Sequence, residues 1–293
     1  MMSQKARRLT IGERLQNGLF SSKVSRMLVY ICLSLWSATT ILPLLWVINN
    51  SFKTSEEVVE NSFSPALNPT LANYQHAFDL VNIGDSYLNS LIMAGGAVIF
   101  TLLFGGMAAF VMARFSFRVR GVIQAVMVMS LLIPPFATVV PLFIMFSDWG
   151  LVNTYWALII PATAGNLPFA VFVMSAYMAT IPKELEEASI MDGCSRFKMY
   201  TKIFFPISKP VFATVSVFVF LWTYNDLFSS LIFVRGEEVQ PIVVLLNMIS
   251  TKYGTDYGLL AVAVVMTAIP VICVYILLQK YIEKGLTTGA VKG

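Results

Sequence analysis

Long runs without a charged residue dominate the hydrophobic pattern of this chain. A helix needs about 20 apolar residues to cross the hydrocarbon core of a bilayer, and five runs free of Asp, Glu, Lys and Arg reach that length. A further run, 210–234, is interrupted only by Asp226. The pattern predicts six transmembrane helices, over residues 27–49, 87–113, 121–147, 152–180, 210–234 and 257–280.

The composition narrows the fold class. Of the 293 residues, 57% are hydrophobic and 12% are charged, whereas about a quarter of the residues in a soluble domain are charged. A soluble globular fold is therefore excluded. Backbone polar groups in lipid must be bonded within the spanning structure, and the chain lacks the short alternating segments of a membrane barrel. The sequence predicts an all-α membrane protein.

The positive residues predict how the six helices are oriented. When the spans are taken in order, all but three of the 20 Lys and Arg residues fall on the side that holds both termini, and the exceptions are Lys53, Arg235 and Lys252. Positive residues favour the cytoplasmic side, so we expect a cytoplasmic segment at 1–26, a cytoplasmic tail at 283–293 and an uncleaved first span. Because the charges follow membrane borders and form no single stripe, no nucleic-acid partner is expected.

Few residues suit catalysis or metal binding. The chain has one histidine, His76, and three cysteines, so neither a metal site nor a disulfide is expected. It contains no Gly-x-x-x-x-Gly-Lys-Ser/Thr phosphate-binding loop, and no histidine lies within a span to act as a base. We therefore expect a non-catalytic chain without a cofactor of its own, driven by a partner that supplies the energy.

A polar segment between the fourth and fifth spans, the 181–206 loop, is patterned as two short helices. Pro182 suits a first helical turn, the glutamates that follow it suit the positive end of a helix dipole, and Gly193 suits the end of the helix. Ser195 can cap a second helix, which Pro206 is expected to close.

The second predicted helix of the loop carries an apolar face. Phe197, Tyr200, Ile203 and Phe204 recur at helical spacing, as they do in helices that lie on a membrane surface. The acidic first helix argues against that arrangement, because anionic lipid headgroups repel its three glutamates. The loop is instead predicted to dock onto a separate protein.

Five residues of the loop stand at a characteristic spacing: Glu187, Ala188, Gly193, Ile203 and Pro206. This spacing resembles the cytoplasmic signature of the permease subunits of ATP-binding-cassette (ABC) importers. Ser189 replaces the second alanine of that signature and Phe205 replaces its leucine. Both replacements keep the character of the site, small for small and apolar for apolar.

The resemblance extends over nearly the whole chain and favours the maltose-type, carbohydrate-importing branch of the family. The segments that carry it are Asn89-Ser90, Ala108-Ala109, 113–115, 141–143, 150–154, Asp192-Gly193, Trp222, Asn225-Asp226 and the tail 285–293. It implies the type I ABC importer permease fold with cytoplasmic termini in a bacterial inner (cytoplasmic) membrane. The implied partners are a second permease subunit, an ATPase dimer that carries ATP and Mg²⁺, and an extracytoplasmic solute-binding protein.

The same resemblance implies roles for individual residues. The loop fits into a cleft of the ATPase, and its implied contact residues are Glu187, Ala188, Ser189, Asp192, Gly193, Ile203 and Pro206. Glu187 is expected to pair with a basic residue of the ATPase. Tail residues Gly289 and Lys292 are expected to reach the nucleotide-binding dimer as well. Closure of the ATPase pair then moves the docked loop and tilts the spans.

Polar residues within the spans are candidates for a substrate pathway, because such residues are rare in lipid. Asp226 is the only ionisable residue inside a span, and Trp222, Tyr224 and Asn225 add the aromatic faces and hydrogen-bonding groups that suit a neutral sugar. Asn166 lies among the prolines of the fourth span, which we expect to be a broken helix like the third. In the alternative, Asn225 and Asp226 cap or interrupt the fifth helix for packing.

These observations predict a permease that moves a sugar or oligosaccharide into the cytoplasm by alternating access. An ABC permease for a polyol or a glycerophosphate is an open alternative. A self-contained secondary transporter is a weaker alternative, because it needs buried groups for ion coupling and Asp226 is the only ionisable residue inside a predicted span. A membrane-embedded enzyme or scaffold is disfavoured by the missing catalytic groups.

Overall fold

The computed structural model describes residues 23–80, 82–244, 247–248 and 256–290, and these ranges are mostly helical. In chain order the helices are α1 (Lys23–Ser51), α2 (Ser55–Asn61), α3 (Ala72–Leu80), α4 (Ile83–Arg114), α5 (Arg120–Ser130), α6 (Pro135–Asp148), α7 (Trp156–Ala179), α8 (Lys183–Met191), α9 (Arg196–Met199), α10 (Phe205–Ile207), α11 (Lys209–Tyr224), α12 (Leu227–Phe233) and α13 (Tyr257–Ala290). Four of these, α1, α4, α7 and α13, are long and apolar enough to cross a membrane. Two bent helix pairs raise the number of candidate spans to as many as six.

The third span is a bent pair of helices. Helices α5 and α6 meet at an angle of 98°. Proline disfavours the helical conformation in the residue before it, and Pro134, which precedes Pro135, is extended with a ψ angle of 133°. The one helix expected over 121–147 is therefore interrupted, as its prolines indicate.

The fourth span is continuous, so the expectation of a broken helix there is wrong. Helix α7 runs through both Pro161 and Pro168 without interruption. It packs along much of its length against α4, and membrane helices tolerate proline where their neighbours support the backbone.

The core of the bundle lies between α4, α7 and α11. Gly105 brings α4 close to α7, because a Cβ atom placed on Gly105 would lie 3.2 Å from the Cβ atom of Ala170. Small residues at such contacts allow membrane helices to pack closely. The buried core side chains from the three helices include Ala97, Ala109, Phe110, Met174, Met178, Phe212 and Val215.

Polar bonds fold the chain that follows α1 at the end of the bundle opposite the 181–206 loop, named the far end below. Lys53 is buried, and its Nζ donates to the carbonyl oxygens of Asn61 at 2.9 Å and Ser64 at 2.6 Å and to Oγ of Ser64 at 3.3 Å. Asn49 donates to the Ser64 carbonyl at 2.8 Å and accepts from the Ala66 N–H at 2.9 Å. A buried cation is tolerated when its donors are bonded, so these contacts give the segment one defined conformation.

Asn89 joins two further segments at the far end. Its Nδ2 donates to the carbonyl oxygens of Glu238 at 3.0 Å and Gln240 at 3.2 Å, and its Oδ1 accepts from the Tyr155 hydroxyl at 2.7 Å. Beside it, Oγ of Ser90 accepts from the N–H of Ile242 at 2.8 Å. These bonds hold the chain that follows α12 against α4 and the start of α7.

Replacing Asn89 with alanine should therefore destabilise the far end. The substitution leaves buried polar groups without partners, which costs about 1–3 kcal/mol for each group. We expect a lower midpoint of thermal unfolding for the detergent-purified protein. Asn225→Ala is the matched control, because Asn225 is exposed and its side chain donates to the carbonyl oxygen of Leu221 in the preceding helix turn. Equal midpoints for the two variants would contradict the role given to Asn89.

The two ends of the chain differ from the predicted boundaries. Helix α1 begins at Lys23, within the segment expected to precede the first span. Helix α13 continues past residue 280 to Ala290, so Gly289 lies in a helix. Residues 1–22 and Lys292 lie outside the described residues, and the contact predicted for Lys292 stays a prediction.

Candidate functional site

The first arm of the 181–206 loop is α8, bounded by residues that the sequence pattern indicates. Pro182 precedes it, and Gly193 follows it with a φ angle of 71°, a conformation that glycine adopts without a steric penalty. The N–H of Cys194 then donates to the carbonyl oxygen of Ser189 at 2.9 Å, which closes the end of the helix. The first arm is a short helix with a defined turn after it.

The second arm of the loop, Arg196–Ile207, begins as predicted and ends differently. Oγ of Ser195 accepts from the N–H of Lys198 at 3.3 Å. The arm does not close at Pro206, because α10 continues to Ile207 before a bend of 78° leads into α11. A turn of π-helix, Tyr200–Phe204, lies within the arm. A π turn adds a residue to the helical turn, so it changes the direction of the side chains that follow it.

The single apolar face predicted for the second arm is divided by this geometry. Tyr200 and Phe204 are buried against Phe110 of α4, with ring centroids 5.5 and 4.9 Å apart. Ile203 packs at the edge of the same core. Phe197, in contrast, is 69% exposed. The arm is thus anchored to the bundle by three of its apolar residues and presents the fourth to its surroundings.

An exposed surface of acidic and apolar residues, named the loop surface below, covers the outward side of both arms. Its members are Glu187, Ala188, Ile190, Met191, Asp192 and Phe197. Met191 is 87% exposed. Exposed large apolar side chains grouped with polar ones are typical of protein–protein contact sites. Sequence reasoning selected Glu187, Ala188 and Asp192 as contact residues. It did not select Ile190, Met191 or Phe197, because their exposure depends on how the helices pack.

Ser189 differs from the other predicted contact residues, because it faces inward. It is buried, and its Oγ donates to the carbonyl oxygen of Glu186 at 2.7 Å. A small residue fits this position because the first arm packs against the rest of the chain there. Ile203 packs at the edge of the core, whereas Gly193, in the turn, and Pro206, near the end of the second arm, are exposed.

Gly106 sets how closely the second arm approaches α4. A Cβ atom on Gly106 would lie 2.6 Å from Cζ of Phe212 and 2.7 Å from the hydroxyl of Tyr200. Both distances are shorter than a normal van der Waals contact, which is about 3.5–4.0 Å between carbon atoms. Glycine is therefore required where α4, the second arm and α11 meet.

Two of the predicted pathway residues lie on a common aromatic surface of α7 and α11. Trp222 packs edge-on against Phe169, with ring centroids 4.8 Å apart at 71°, and lies 5.6 Å from the ring of Phe218. Asn166 precedes Phe169 by one helical turn on the same face of α7. Its Nδ2 donates to the Ala162 carbonyl at 2.8 Å. The structure thus brings Asn166 and Trp222 to one side of the bundle.

The remaining three pathway candidates occupy the break between α11 and α12. Oδ1 of Asp226 accepts from the N–H of Ser229 at 3.0 Å and caps α12. Asn225 donates to the carbonyl oxygen of Leu221 at 2.8 Å. Tyr224 is buried and its ring stacks on that of Phe220, 5.5 Å away. Capping and packing, the alternative interpretation of these residues, therefore describes their contacts.

Metal ligands are not clustered in the part of the chain that the structure describes. No group of three or more His, Cys, Asp or Glu residues in those ranges could hold a metal ion. Cys32, Cys194 and Cys273 are free cysteines.

Sequence comparison defines the class of this protein. The chain belongs to the family of binding-protein-dependent transport system inner membrane components, which it matches over residues 101–288. It is therefore a permease subunit of an ABC importer, a non-catalytic membrane chain whose ATPase lies on a separate chain. The family resemblance stated from the loop spacing is confirmed.

Two curated relatives show where the chain lies within this family. It is 34% identical to the diacetylchitobiose uptake system permease protein NgcG of Streptomyces coelicolor over 259 residues. This alignment covers 88% of this chain and 86% of that protein. It is 31% identical to the melibiose/raffinose/stachyose import permease protein MelC of Bacillus subtilis over 253 residues. This alignment covers 86% of this chain and 91% of that protein.

The fold is shared with a solved importer. A chain in the crystal structure of a bacterial ABC transporter involved in the import of the acidic polysaccharide alginate superposes with a TM-score of 0.73 and 21% sequence identity. The match covers 89% of this chain and 98% of that one. The all-helical, type I ABC importer permease fold expected from the sequence is confirmed.

Proposed function

We propose that this chain forms, together with a second permease subunit, an alternating-access pathway that moves a sugar or oligosaccharide into the cytoplasm of a bacterial cell. An extracytoplasmic solute-binding protein delivers the cargo. The names of the two relatives, which refer to diacetylchitobiose and to melibiose, raffinose and stachyose, support a carbohydrate cargo. The surface formed by Trp222, Phe169 and Asn166 supports it as well, because aromatic faces with a few polar groups suit sugar rings.

The energy for transport comes from a partner ATPase dimer that carries ATP and Mg²⁺. The 181–206 loop docks into that partner on the cytoplasmic side of the membrane, with Glu187 in an ion pair and Met191 and Phe197 in apolar contacts. Helix α13 extends toward the same partner, so Gly289 and Lys292 add a second contact. The orientation is supported by the positive residues, which gather on the side of the loop and the termini.

The observation that carries this proposal is the loop surface itself. It combines a defined turn at Gly193, a second arm packed against the core of the bundle, and exposed apolar side chains at Met191 and Phe197. A loop that merely connected two spans would need neither the buried anchor nor the exposed apolar tips. Both are expected where a membrane domain receives force from another protein.

Purification of the complete complex from its native host and its reconstitution in lipid nanodiscs test the proposed function. Neutral di-, tri- and tetrasaccharides, polyols and glycerophosphates are added one at a time with the solute-binding protein, and ATP hydrolysis is measured. We expect an oligosaccharide to stimulate hydrolysis and to be taken up when the same complex is placed in liposomes. Ion-gradient-driven uptake by the purified chain alone would overturn the proposal, as would stimulation by a non-sugar solute only.

A further inference from the structure

Arg114, the last residue of α4, bonds to several elements at once. Its side chain is only 4% exposed. One terminal nitrogen, Nη2, donates to the carbonyl oxygens of Met178, at 2.9 Å, and Ile181. The other, Nη1, lies 3.8 Å from Oε2 of Glu186 in the first arm. The guanidinium also stacks over the ring of Phe204 in the second arm, 4.7 Å from its centroid.

The carbonyl groups that Arg114 reaches are ones that α7 cannot satisfy fully by itself. In a continuing helix the Met178 oxygen would accept from the N–H of residue 182, but Pro182 has no N–H. The N–H of Ile181 reaches the Met178 oxygen at 3.2 Å. Arg114 adds a charged donor at this negative end of the helix, where cations are favoured.

A second arginine makes the reciprocal contact. Arg196, the first residue of the second arm, lies over the ring of Phe115, 4.9 Å from its centroid. Phe115 follows Arg114 directly and packs edge-on against Phe110, 5.5 Å away. At the end of α4, Arg114 thus contacts a ring of the loop, and Phe115 contacts a cation of the loop. Cation–π contacts of this kind are stronger when desolvated.

We propose that Arg114 is the positioning residue that makes both arms of the 181–206 loop move as one body with the ends of α4 and α7. Displacement of the docked loop then moves the ends of these two helices, because the two arms keep a fixed position relative to each other. A lysine cannot replace this function fully, because a single ammonium lacks the planar fork of donors and the stacking face of a guanidinium. The inference rests on the proposed function, in which the loop docks onto an ATPase.

Two adjacent glutamates of the first arm, Glu186 and Glu187, face different partners. Glu186 is half-buried and faces Arg114, whereas Glu187 is exposed on the loop surface. Docking and coupling therefore depend on adjacent but different side chains. Substitution of Glu186 therefore tests coupling, and substitution of Glu187 tests docking.

The test uses the complete complex in nanodiscs and liposomes, with Arg114→Gln, Arg114→Lys, Glu186→Gln and Glu187→Gln compared with the wild type. Arg118→Gln is the control, because Arg118 is an exposed arginine close in sequence to Arg114. The oligosaccharide that stimulates the wild-type complex is the transport probe. The measured quantities are the amount of ATPase that co-purifies and the number of sugar molecules imported per ATP hydrolysed.

Arg114→Gln should retain the ATPase and lower the import per ATP by about tenfold, the effect of one lost charged hydrogen bond in a coupling step. Arg114→Lys should fall between that variant and the wild type. Glu186→Gln should lower the ratio by about two- to fivefold, since a partly exposed ion pair is weak. Arg118→Gln should leave the ratio unchanged. A purely structural role would lower transport and hydrolysis together, and an unchanged ratio in Arg114→Gln and Glu186→Gln would overturn the proposal.

A distance measurement tests the same proposal without any cargo. Spin labels are attached at Val111→Cys on α4 and Lys202→Cys on the second arm, both exposed positions, in a chain whose three native cysteines are replaced by serine. The wild-type complex should show one narrow distance distribution with and without ATP, and Arg114→Gln should broaden it. A wild-type distance that changes with ATP, or an Arg114→Gln distribution that stays narrow, would refute rigid coupling.

Failure of the underlying function would look different. If the wild-type complex showed no ATPase stimulation, or if Glu187→Gln left ATPase association unchanged, the docking role of the loop would be wrong whatever Arg114 does. Conversely, loss of ATPase association in Arg114→Gln would show that Arg114 serves docking and that the positioning role is wrong.

Discussion

Replacing Gly106 with valine is expected to destabilise this permease strongly, because it overpacks the core where α4, the second arm and α11 meet. The new Cβ atom would lie 2.6 Å from Cζ of Phe212 and 2.7 Å from the Tyr200 hydroxyl. Both neighbours are buried aromatic side chains in the same core, so they cannot rotate out of the way. Overpacking a core in this way costs about 1–3 kcal/mol and occasionally more. The midpoint of thermal unfolding in detergent and the yield of folded protein should both fall.

Gly95→Ala is the matched control for that experiment. Gly95 lies on the same helix, and a Cβ atom there would meet no heavy atom within 4 Å. Alanine favours the helix by about 1 kcal/mol over glycine, so the control should be neutral or slightly stabilising. Unfolding midpoints that do not differ between Gly106→Val and Gly95→Ala would show that the second arm is not packed against α4 in the way described.

Replacing Met191 with aspartate should abolish docking of the ATPase while the permease itself remains folded. Met191 is 87% exposed, so the change removes no packing within the chain. In a docked complex it would bury a charge in an apolar contact. Loss of an apolar anchor at the centre of an interface costs about 2 kcal/mol or more, which corresponds to at least about 30-fold weaker binding. Co-purification of the ATPase and uptake of sugar by whole cells should both be lost.

Leu67→Asp provides the comparison for Met191→Asp. Leu67 is 84% exposed and lies at the far end of the bundle, so it receives the same new charge at a similar exposure. Its effect on ATPase association should be nil. If both variants kept the ATPase, the loop surface would not be the docking site. If both lost it, the effect would belong to the added charge and not to the position.

Local signals in the sequence predicted the parts of the site that depend on neighbouring residues. The helix break after Met191 follows from Gly193, and the start of the second arm follows from the side chain of Ser195. Each is decided within one or two turns, where backbone conformation and capping dominate. The four long apolar helices were equally accessible, because the length of an uncharged run reflects the thickness of the bilayer.

Features that depend on contacts between distant segments were not accessible in the same way. A helix is broken at Pro134 and Pro135 but continues through Pro161 and Pro168, where α7 packs against α4. The direction of Phe197 depends on how the second arm packs. The sequence places Arg114 at a membrane border and in one of the segments that carry the family resemblance, but it does not indicate its carbonyl partner in Met178, which is 64 residues away.

The polar bonds around Asn49 and Lys53 fix one end of helix α1. Along most of its length this helix is exposed, and it becomes buried only at Asn50 and Ser51. Within the chain, α1 packs against α13. Apolar side chains in lipid gain little by exchanging lipid for protein neighbours, so the exposed length of α1 can contact lipid or another chain at similar cost. The bonds of Asn49 and Lys53 fix the end of the helix, and its exposed length is an apolar surface that this chain offers to a neighbour.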